Sequence, residues 1–321
     1  MHQGMKDRRS SINLSLLSKY GIYFVLLGLI ILLSFTTSSF LTLRNVLNVL
    51  RQVSINGIIA VGMTFVLITG GIDLSAGAVV AYAGVVASSF SHPGEHATFV
   101  PILVGILVGA VLGFANGSAI ALTKIPPFIV TLGMTQIASG MALLYSGGRP
   151  ITNLSEAFQA MGQGMVGVVP LPIFLLLGVV LAGTYLLHFT RFGRYTFSIG
   201  GNETTAIVSG INIKRIKIMV YTMAGTLYGL AAIILSARTN SGAPSAGSGY
   251  ELNAIAAVVI GGTATTGGRG TMIGTMVGAL IMGILSNGLD ILNVSSYYQS
   301  VIKGVIIIGA VWLDTTITNR D

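Results

Sequence analysis

Few residues of this chain have side chains that could do chemistry, and their spacing does not form a reactive set. The 321 residues include no cysteine, which excludes a thiol nucleophile and a thiolate metal site. Of the four histidines, only His92 and His96 are four positions apart, and Pro93 and Gly94 between them favour a turn over a helix. The sequence shows no nucleophile–base pair. It therefore predicts no catalytic residue, no metal site, no cofactor and no enzymatic activity.

The glycine-rich run GGTATTGGRG, residues 261–270, invites comparison with a phosphate-binding loop. The Walker pattern is Gly-x-x-x-x-Gly-Lys-Ser/Thr, in which a lysine follows the second glycine directly. In this chain Gly267 is followed by Gly268 and Arg269, and no strand-to-helix unit of a soluble domain surrounds the run. Nucleotide binding is therefore rejected.

The composition is that of a protein with many membrane spans. Charged residues make up 8% of the chain, whereas soluble domains have about 25%. The 43 glycines suit close packing of helices in lipid. A net charge of +8 could suggest a nucleic-acid partner, but the basic residues are scattered between apolar runs. There they act as orientation signals, and no nucleic acid is expected.

The apolar runs predict an all-α polytopic membrane protein of about ten transmembrane helices, some of them broken or re-entrant. We expect a single transmembrane domain over residues 20–315, between cytoplasmic tails at 1–19 and 316–321. Most basic residues then fall on the cytoplasmic side, which is the orientation that the positive-inside rule favours. Residues 36–52 are interpreted as a loop, or as a short interfacial helix before the second span. Residues 238–249 are interpreted as an exposed turn segment.

Two segments, 58–90 and 251–283, share one plan: an apolar helix, a glycine pair, a polar turn and a helix of small residues. The expected breaks lie at residues 70–75 and 261–270. Broken helices at membrane depth are tolerated only where they face a cavity or other protein. A different pattern occupies the run 99–122, where one glycine recurs at every fourth position and predicts a face for close helix packing. These glycines are Gly105, Gly109, Gly113 and Gly117.

The longest strongly charged interruption is the segment 190–217. It carries five basic residues against the single acid Glu203, so the segment should stay in the cytoplasm. Asn202 can cap a helix, Glu203 suits the first turn, and Gly210 offers a stop, which predicts a two-turn helix outside the bilayer. A solvated connector is the alternative, but a connector needs neither this length nor a helix. We therefore expect a partner to dock here.

This segment resembles the cytoplasmic loop of importer permeases of the ABC class. The pattern E-x-x-A-x-x-x-G-I is formed by Glu203, Ala206, Gly210 and Ile211. The flanking stretches FGRYTFSIGGNETTA and SGINIKRIK are similar to the ribose-type sugar permeases. The strict loop begins Glu-Ala-Ala, and Thr204 and Thr205 replace both alanines, as is typical of the ribose-type branch. GMTFVLITGGIDLS, GYELNAIAAVVIGGT and NVSSYYQ extend the resemblance over nearly the whole chain.

The resemblance implies the ABC importer permease fold and the membrane-spanning subunit of an ATP-driven importer of ribose or a related monosaccharide. It implies a homodimer in the lipid of the bacterial cytoplasmic (inner) membrane, with both termini in the cytoplasm. A periplasmic or lipid-anchored sugar-binding protein would deliver the solute to the outer face. A separate ATPase would dock on the cytoplasmic loop, at Gly200, Gly201, Asn202, Glu203, Ala206, Gly210, Ile211 and Asn212.

Candidates for the translocation path lie in or beside the two breaks. They are Asp73, Ser75, Glu251, Thr263, Thr265 and Thr266. For Asp73 and Ser75 we favour the alternative of a helix cap over direct contact with sugar. The rival function is an ion- or proton-coupled secondary transporter, which needs an intramembrane carboxylate or histidine relay. Only Asp73, Glu251 and Asp290 lie near membrane depth, each beside a break or a span end, so this function is second.

Overall fold

The computed structural model describes residues 21–318, and the side chains of residues 21–312. The expected tail 1–19 lies outside the described residues, and the start of the expected tail 316–321 is still helical. The helices are α1 (Gly21–Thr36), α2 (Leu43–Ile68), α3 (Ala76–Ser89), α4 (Phe99–Thr123), α5 (Pro127–Ser146), α6 (Glu156–Gln163), α7 (Leu171–Phe189), α8 (Arg191–Gly201), α9 (Glu203–Val208), α10 (Ile213–Thr239), α11 (Tyr250–Ile260), α12 (Met272–Ile291) and α13 (Ser296–Thr318). One antiparallel hairpin, β1 (Met165–Val166) and β2 (Val169–Pro170), separates α6 from α7.

The helix lengths confirm the predicted membrane architecture. Within the described residues, six helices are long and apolar enough to cross a membrane, namely α2, α4, α5, α7, α10 and α12. The helices α1, α3 and α11 are apolar but shorter, and α13 has 23 residues. The prediction of about ten helices with broken segments is therefore confirmed. The 11-residue α11 is too short to cross alone, since a span needs about 20 residues.

The core of the molecule is built around α2. Every residue from 53 to 68 is buried, because α10, α11 and α12 pack around this helix. α10 also packs against α3 and α4. The outward faces of α4, α5 and α7 expose large apolar side chains such as Phe114, Leu144 and Leu181, which suits contact with lipid.

The beginning of α2 differs from the sequence prediction. Residues 43–52 are neither a loop nor a separate interfacial helix, because α2 runs without interruption from Leu43 to Ile68. The Oγ1 atom of Thr42 caps the helix by accepting from the Asn45 N–H at 3.4 Å. No proline or glycine lies between residues 43 and 56, so nothing separates the amphipathic turns from the apolar ones.

The glycine face of α4 packs closely on another helix, as predicted, and that helix is α10. All four glycines of this face are buried, and a Cβ atom at Gly113 would lie 3.0 Å from the Gly225 Cα and overlap the carbonyl of Tyr221. A Cβ atom at Gly109 would lie 2.9 Å from the Gly229 Cα. The two helix backbones therefore touch, as at close helix contacts in membranes.

The exposed turn predicted at residues 238–249 is only partly correct. Arg238 and Thr239 still belong to α10, and only Asn240, Ser245 and Ser248 of the remaining residues are exposed. Residues 240–249 lie along α3, with Gly242 and Gly247 buried against it. A Cβ atom at Gly242 would lie 2.6 Å from the Ser88 Cβ, and one at Gly247 would overlap the Gly77 carbonyl. The small residues that suggested an exposed turn instead allow the backbone to approach α3 closely.

The turns between helices form two ends of the molecule. At the hairpin end, the backbones of Ile151 and Gly242 are joined by hydrogen bonds of 3.0 and 2.8 Å, close to the β1–β2 hairpin. At the opposite end, which we call the α9 end, lie α8, α9 and the α4–α5 link. Both helix breaks, at residues 69–75 and 261–271, belong to the α9 end.

Candidate functional site

The charged segment 190–217 folds into two helices and the first turns of α10. The predicted two-turn helix is α9, which has six residues, and Lys214, Arg215 and Lys217 belong to α10. The 11-residue α8 before it was not predicted. Thr190, whose Oγ1 accepts from the Gly193 N–H at 3.3 Å, is the capping signal that could have located α8.

Two asparagines set the boundaries of α9 and α10. The Oδ1 atom of Asn202 accepts from the Thr205 N–H at 2.9 Å, and that of Asn212 accepts from the Arg215 N–H at 3.0 Å. Gly210, with φ of +79°, ends the intervening turn, as predicted. The predicted cap at Asn202 and stop at Gly210 are therefore correct, whereas the cap at Asn212 was not predicted.

One face of α9 packs against the rest of the protein, and the other face is exposed. Ala206 is buried, and its carbonyl accepts from the Ile211 N–H at 3.1 Å. Ile207 and Val208 are 60% and 84% exposed. Two adjacent apolar side chains at the end of a short helix outside the apolar spans suit contact with another protein.

A cleft of about 540 Å³ lies between α9, the start of α10 and the α4–α5 link. Its apolar wall includes Ile207 and Ile211, while Lys124 and Lys214 line it with positive charge. Glu203 contributes the acid and pairs with Lys217 across 2.7 Å. The α9 end thus offers an apolar and mainly basic surface.

The first helix break follows α2. Gly70, with φ of +76°, turns the chain, and α3 begins at Ala76. Asp73 is only 1% exposed, and its Oδ1 accepts from the backbone N–H and the hydroxyl of Ser75, at 2.9 and 2.6 Å. Ser75 occupies the N-cap position of α3 but makes no side-chain cap. Asp73 therefore stabilises the turn before α3 and does not cap the helix directly.

Three further polar side chains surround Asp73, and sequence reasoning missed them. The Nδ2 atom of Asn116 donates to the Ser75 Oγ at 2.9 Å, while its Oδ1 has no partner among the described residues. The hydroxyls of Tyr221 and Tyr228 are also buried in this region, that of Tyr221 beside Gly71 and that of Tyr228 against the carboxyl group of Asp73. The one sequence signal that could have revealed this polar group is Asn116, a polar residue within the apolar run of α4.

Glu251 approaches the same end of α3 from α11. Its Oε1 accepts from the Gly249 N–H at 3.3 Å, and its other oxygen lies directly against Gly77. Asp73, Ser75 and Glu251 are therefore brought together around the first turn of α3. Asp290 is not part of this group, because it lies in α12 and accepts from the Gln299 amide at 2.8 Å.

The three candidate threonines lie in the second break. Thr263 is buried, and its hydroxyl has no partner among the described residues. Thr265 is partly buried and Thr266 is exposed. A Cβ atom at Gly70 would lie 3.4 Å from the Thr266 carbonyl, so the two breaks are neighbours. The six candidates thus form two adjacent groups, one around α3 and one in the second break.

Residues 45–311 match the family described as branched-chain amino acid transport system / permease component. The chain is 46% identical to the ribose import permease protein of Bacillus subtilis (strain 168), over 93% of both chains. It is 45% identical to the ribose import permease protein of Escherichia coli (strain K12), over 90% of this chain and 91% of the relative. It is 39% identical to the L-arabinose ABC transporter permease protein of Azospirillum brasilense, over 93% and 88%. No solved structure was found to match.

These similarities decide between the two functions that the sequence left open. The matching proteins are transport permeases, one of them named as an ABC transporter permease, and they are neither enzymes nor ion-coupled transporters by name. Together with these relatives, the apolar helices support a multi-pass protein of the inner membrane. Partners of such a permease are an ATPase and a binding protein. The chain therefore belongs to the permease family of ABC transport systems.

Proposed function

We propose that this permease imports ribose or a related monosaccharide. The observation that carries the proposal is the identity of 46% and 45% to two proteins named ribose import permeases, along nearly the whole chain. The L-arabinose relative is less similar, at 39%. The family description names branched-chain amino acids, so leucine is the informative competitor.

The test is uptake into proteoliposomes that contain the permease, its ATPase and its binding protein. Labelled ribose should accumulate only when ATP is present, and an excess of unlabelled ribose should compete better than arabinose or leucine. Accumulation of leucine in place of ribose would overturn the assignment of substrate. Accumulation without ATP would overturn the ATP-driven mechanism.

We propose that the ATPase docks on α9 and the cleft beside it. The support is the pair of exposed apolar residues Ile207 and Val208, together with the lysines that line the cleft. The docking segment is the one expected from the resemblance: Gly200, Gly201, Asn202, Glu203, Ala206, Gly210, Ile211 and Asn212. Within it, Gly200 and Ala206 pack against this chain and support the surface without touching the partner. Several of these act by shaping the backbone, since Asn202 and Asn212 cap helices and Gly210 ends one turn.

Docking can be tested by co-purification of the ATPase. Ile207→Asp and Val208→Asp should each reduce the amount of ATPase retained, because a carboxylate replaces an apolar contact. Val168→Asp is the matched control, since Val168 is also exposed but lies in the β1–β2 hairpin at the opposite end. Equal retention by all three variants would contradict docking at α9.

We propose that the α9 end faces the cytoplasm and the hairpin end faces outward, toward the sugar-binding protein. The basic residues of α8 and α10 support this orientation. In the cysteine-free chain, a membrane-impermeant maleimide added outside cells should label Val168→Cys but not Val208→Cys. The reverse result would contradict the orientation.

We further propose that the permease works as a homodimer, because each chain carries a single docking segment of this kind. The exposed apolar faces of α4, α5 and α7 leave room for both lipid and a second copy. Native mass spectrometry of the complete transporter should find two permease chains. One permease chain in an actively transporting complex would contradict the proposal.

A further inference from the structure

The end of α8 and the two helix breaks meet backbone to backbone. A Cβ atom at Gly200 would overlap the Ile68 carbonyl and would lie 2.5 Å from the Gly268 nitrogen. A Cβ atom at Gly267 would lie 3.0 Å from the Gly200 Cα and 2.8 Å from the Gly70 nitrogen. We call this set of four residues, Gly70, Gly200, Gly267 and Gly268, the glycine junction.

A hydrogen bond fixes the centre of the glycine junction. The Gly268 N–H donates to the carbonyl of Ile68, the last residue of α2, at 2.9 Å. The second break is thus bonded to the end of the helix that precedes the first break. Gly70, Gly267 and Gly268 have φ values of +76°, +90° and +75°, which residues with side chains rarely adopt. The backbone conformation therefore favours glycine at Gly70, Gly267 and Gly268, and the lack of space requires it at Gly200.

The glycine junction is connected to α9 by a very short link. α8 ends at Gly201, and Asn202 alone separates it from Glu203, the first residue of α9. The other end of α8 is held by the Phe192 ring, whose centroid lies 5.8 Å from that of Phe65 in α2. A displacement of α9 therefore has to pass only one non-helical residue, Asn202, to reach Gly200.

Contacts of this kind transmit displacement with little loss. A side chain between two elements can change rotamer and absorb a small shift, whereas touching backbones have no such freedom. At the glycine junction the same residue, Gly200, touches the end of α2 on one side and the second break on the other. Neither break can shift relative to α8 without the other responding.

We propose that the glycine junction transmits movement of the docked ATPase from α9 to both helix breaks at the same time. Gly200 is then a positioning residue for transport, which acts through the breaks and not by touching sugar. This inference rests on the proposed docking of the ATPase on α9. It adds that the two breaks form one mechanical unit, moved together by α8.

The first test compares Gly200→Ala with Gly178→Ala in the complete transporter. Within the described residues, nothing lies within 4 Å of a Cβ atom at Gly178, so this exposed α7 position is a matched control. Coupling between sites commonly corresponds to a factor of about 5–150, so ribose uptake by Gly200→Ala should fall at least about fivefold. The ATPase should still co-purify with Gly200→Ala, and Gly178→Ala should transport like the wild type.

The second measurement follows both breaks directly and would not respond to a purely structural role. Single cysteines replace Ile72 in the first break and Thr266 in the second, and a water-soluble thiol reagent reports their accessibility. In the protein that retains Gly200, trapping the ATPase with ATP should change the labelling rate of both cysteines. With Gly200→Ala, neither rate should change, although the ATPase remains bound.

Several results would overturn the proposal. One is wild-type uptake by Gly200→Ala. Another is a response to ATP at only one break, or at neither, in the Gly200 background. Labelling in the protein that keeps Gly200 does not depend on the folding of Gly200→Ala. It therefore tests whether the two breaks move together even if that variant fails to insert. Failure of the docking proposal is recognised separately, because it is read from the ATPase retained by Ile207→Asp.

Discussion

Glu203 and Lys217 form an ion pair, with 2.7 Å between Oε2 and Nζ, that joins the start of α9 to the start of α10. The Glu203 side chain is 51% exposed, so the pair contributes only about 0–1 kcal/mol to stability. Its position is more informative than its strength. Glu203 is the acid among the charged residues that line the cleft beside α9.

Glu203→Lys should strongly weaken coupling to the ATPase while leaving the fold intact. The change places a cation at the positive end of α9 and beside Lys217, and it reverses the charge offered to the ATPase. We expect near-normal amounts of permease in the membrane and a sharp fall in ATP-dependent ribose uptake. Normal uptake by this variant would contradict a coupling role for Glu203.

The exchange of both charges separates docking from the ion pair itself. Glu203→Lys combined with Lys217→Glu restores an attractive pair between α9 and α10 but keeps the reversed charge on α9. Uptake should remain low if Glu203 acts on the ATPase. Recovery of uptake would show that the ion pair alone is what transport requires.

Gly109→Leu and Gly113→Leu should prevent correct packing of α4 on α10. Overpacking that side chains can relieve costs about 1–3 kcal/mol, and here the opposing atoms are backbone, so we expect at least the upper end of that range. The measurement is the amount of inserted protein and the melting temperature in detergent. Gly133→Leu is the control, since nothing among the described residues lies within 4 Å of a Cβ atom there. If all three variants melt alike, the assigned packing face is wrong.

Asp73→Ala should destabilise the protein more than Asp73→Asn. Asparagine keeps an oxygen that can accept from the Ser75 N–H, whereas alanine leaves that buried group unpaired, at a cost of roughly 1–3 kcal/mol. Melting temperatures in detergent should rank wild type, Asp73→Asn and then Asp73→Ala. If both variants have equally low melting temperatures, stability depends on the negative charge of Asp73 and not on its oxygen as a hydrogen-bond acceptor. Loss of uptake by a normally folded Asp73→Asn protein would place the carboxylate in the transport path.

The threonines of the second break should differ in their importance for transport. Thr263→Val should leave stability unchanged or slightly raised, because it removes a buried hydroxyl that has no partner among the described residues. Thr266→Val should lower ribose uptake, because Thr266 is exposed and can offer its hydroxyl to a sugar. Uptake and melting temperature of both variants test this ranking, and the opposite order would contradict it.

Single cysteines at residues 72–75 and 263–267 test whether the breaks face water. Thr266→Cys should be labelled quickly by a small thiol reagent, whereas the buried Ser75→Cys and Thr263→Cys should be labelled slowly in the state described. Labelling should change when the ATPase is trapped with ATP. If every position stays unlabelled in all states, the breaks are buried turns, and the path must lie on unbroken helices.

The sequence was sufficient to predict the structure wherever a strong local signal and the tertiary packing favoured the same conformation. Gly210 and Asn202 defined α9, and the glycines of α4 identified the face that packs on α10. The breaks at Gly70 and Gly267 were also predicted, because glycine pairs interrupt apolar runs there. In each case the local preference and the packing favour the same structure.

Other features could not be predicted because the same residues are compatible with two different structures. Small residues in the segment 240–249 suit both an exposed turn and close packing on α3, and only the position of α3 decides. Tyr221 and Tyr228 resemble ordinary residues of an apolar span until Asp73 is placed beside them. Similarly, the contact of Gly200 with Gly267 joins residues far apart in the chain, which no local pattern reports.

The α4–α10 contact has a consequence for how this protein can change shape. The four glycines of the α4 face hold the two backbones in contact, so we expect α4 and α10 to move together as a rigid body. Exposure of a sugar to one membrane face and then to the other must therefore arise from elements that slide or tilt past the pair. Since α10 carries Lys217 beside α9, the pair also supplies the fixed support against which α9 can pivot.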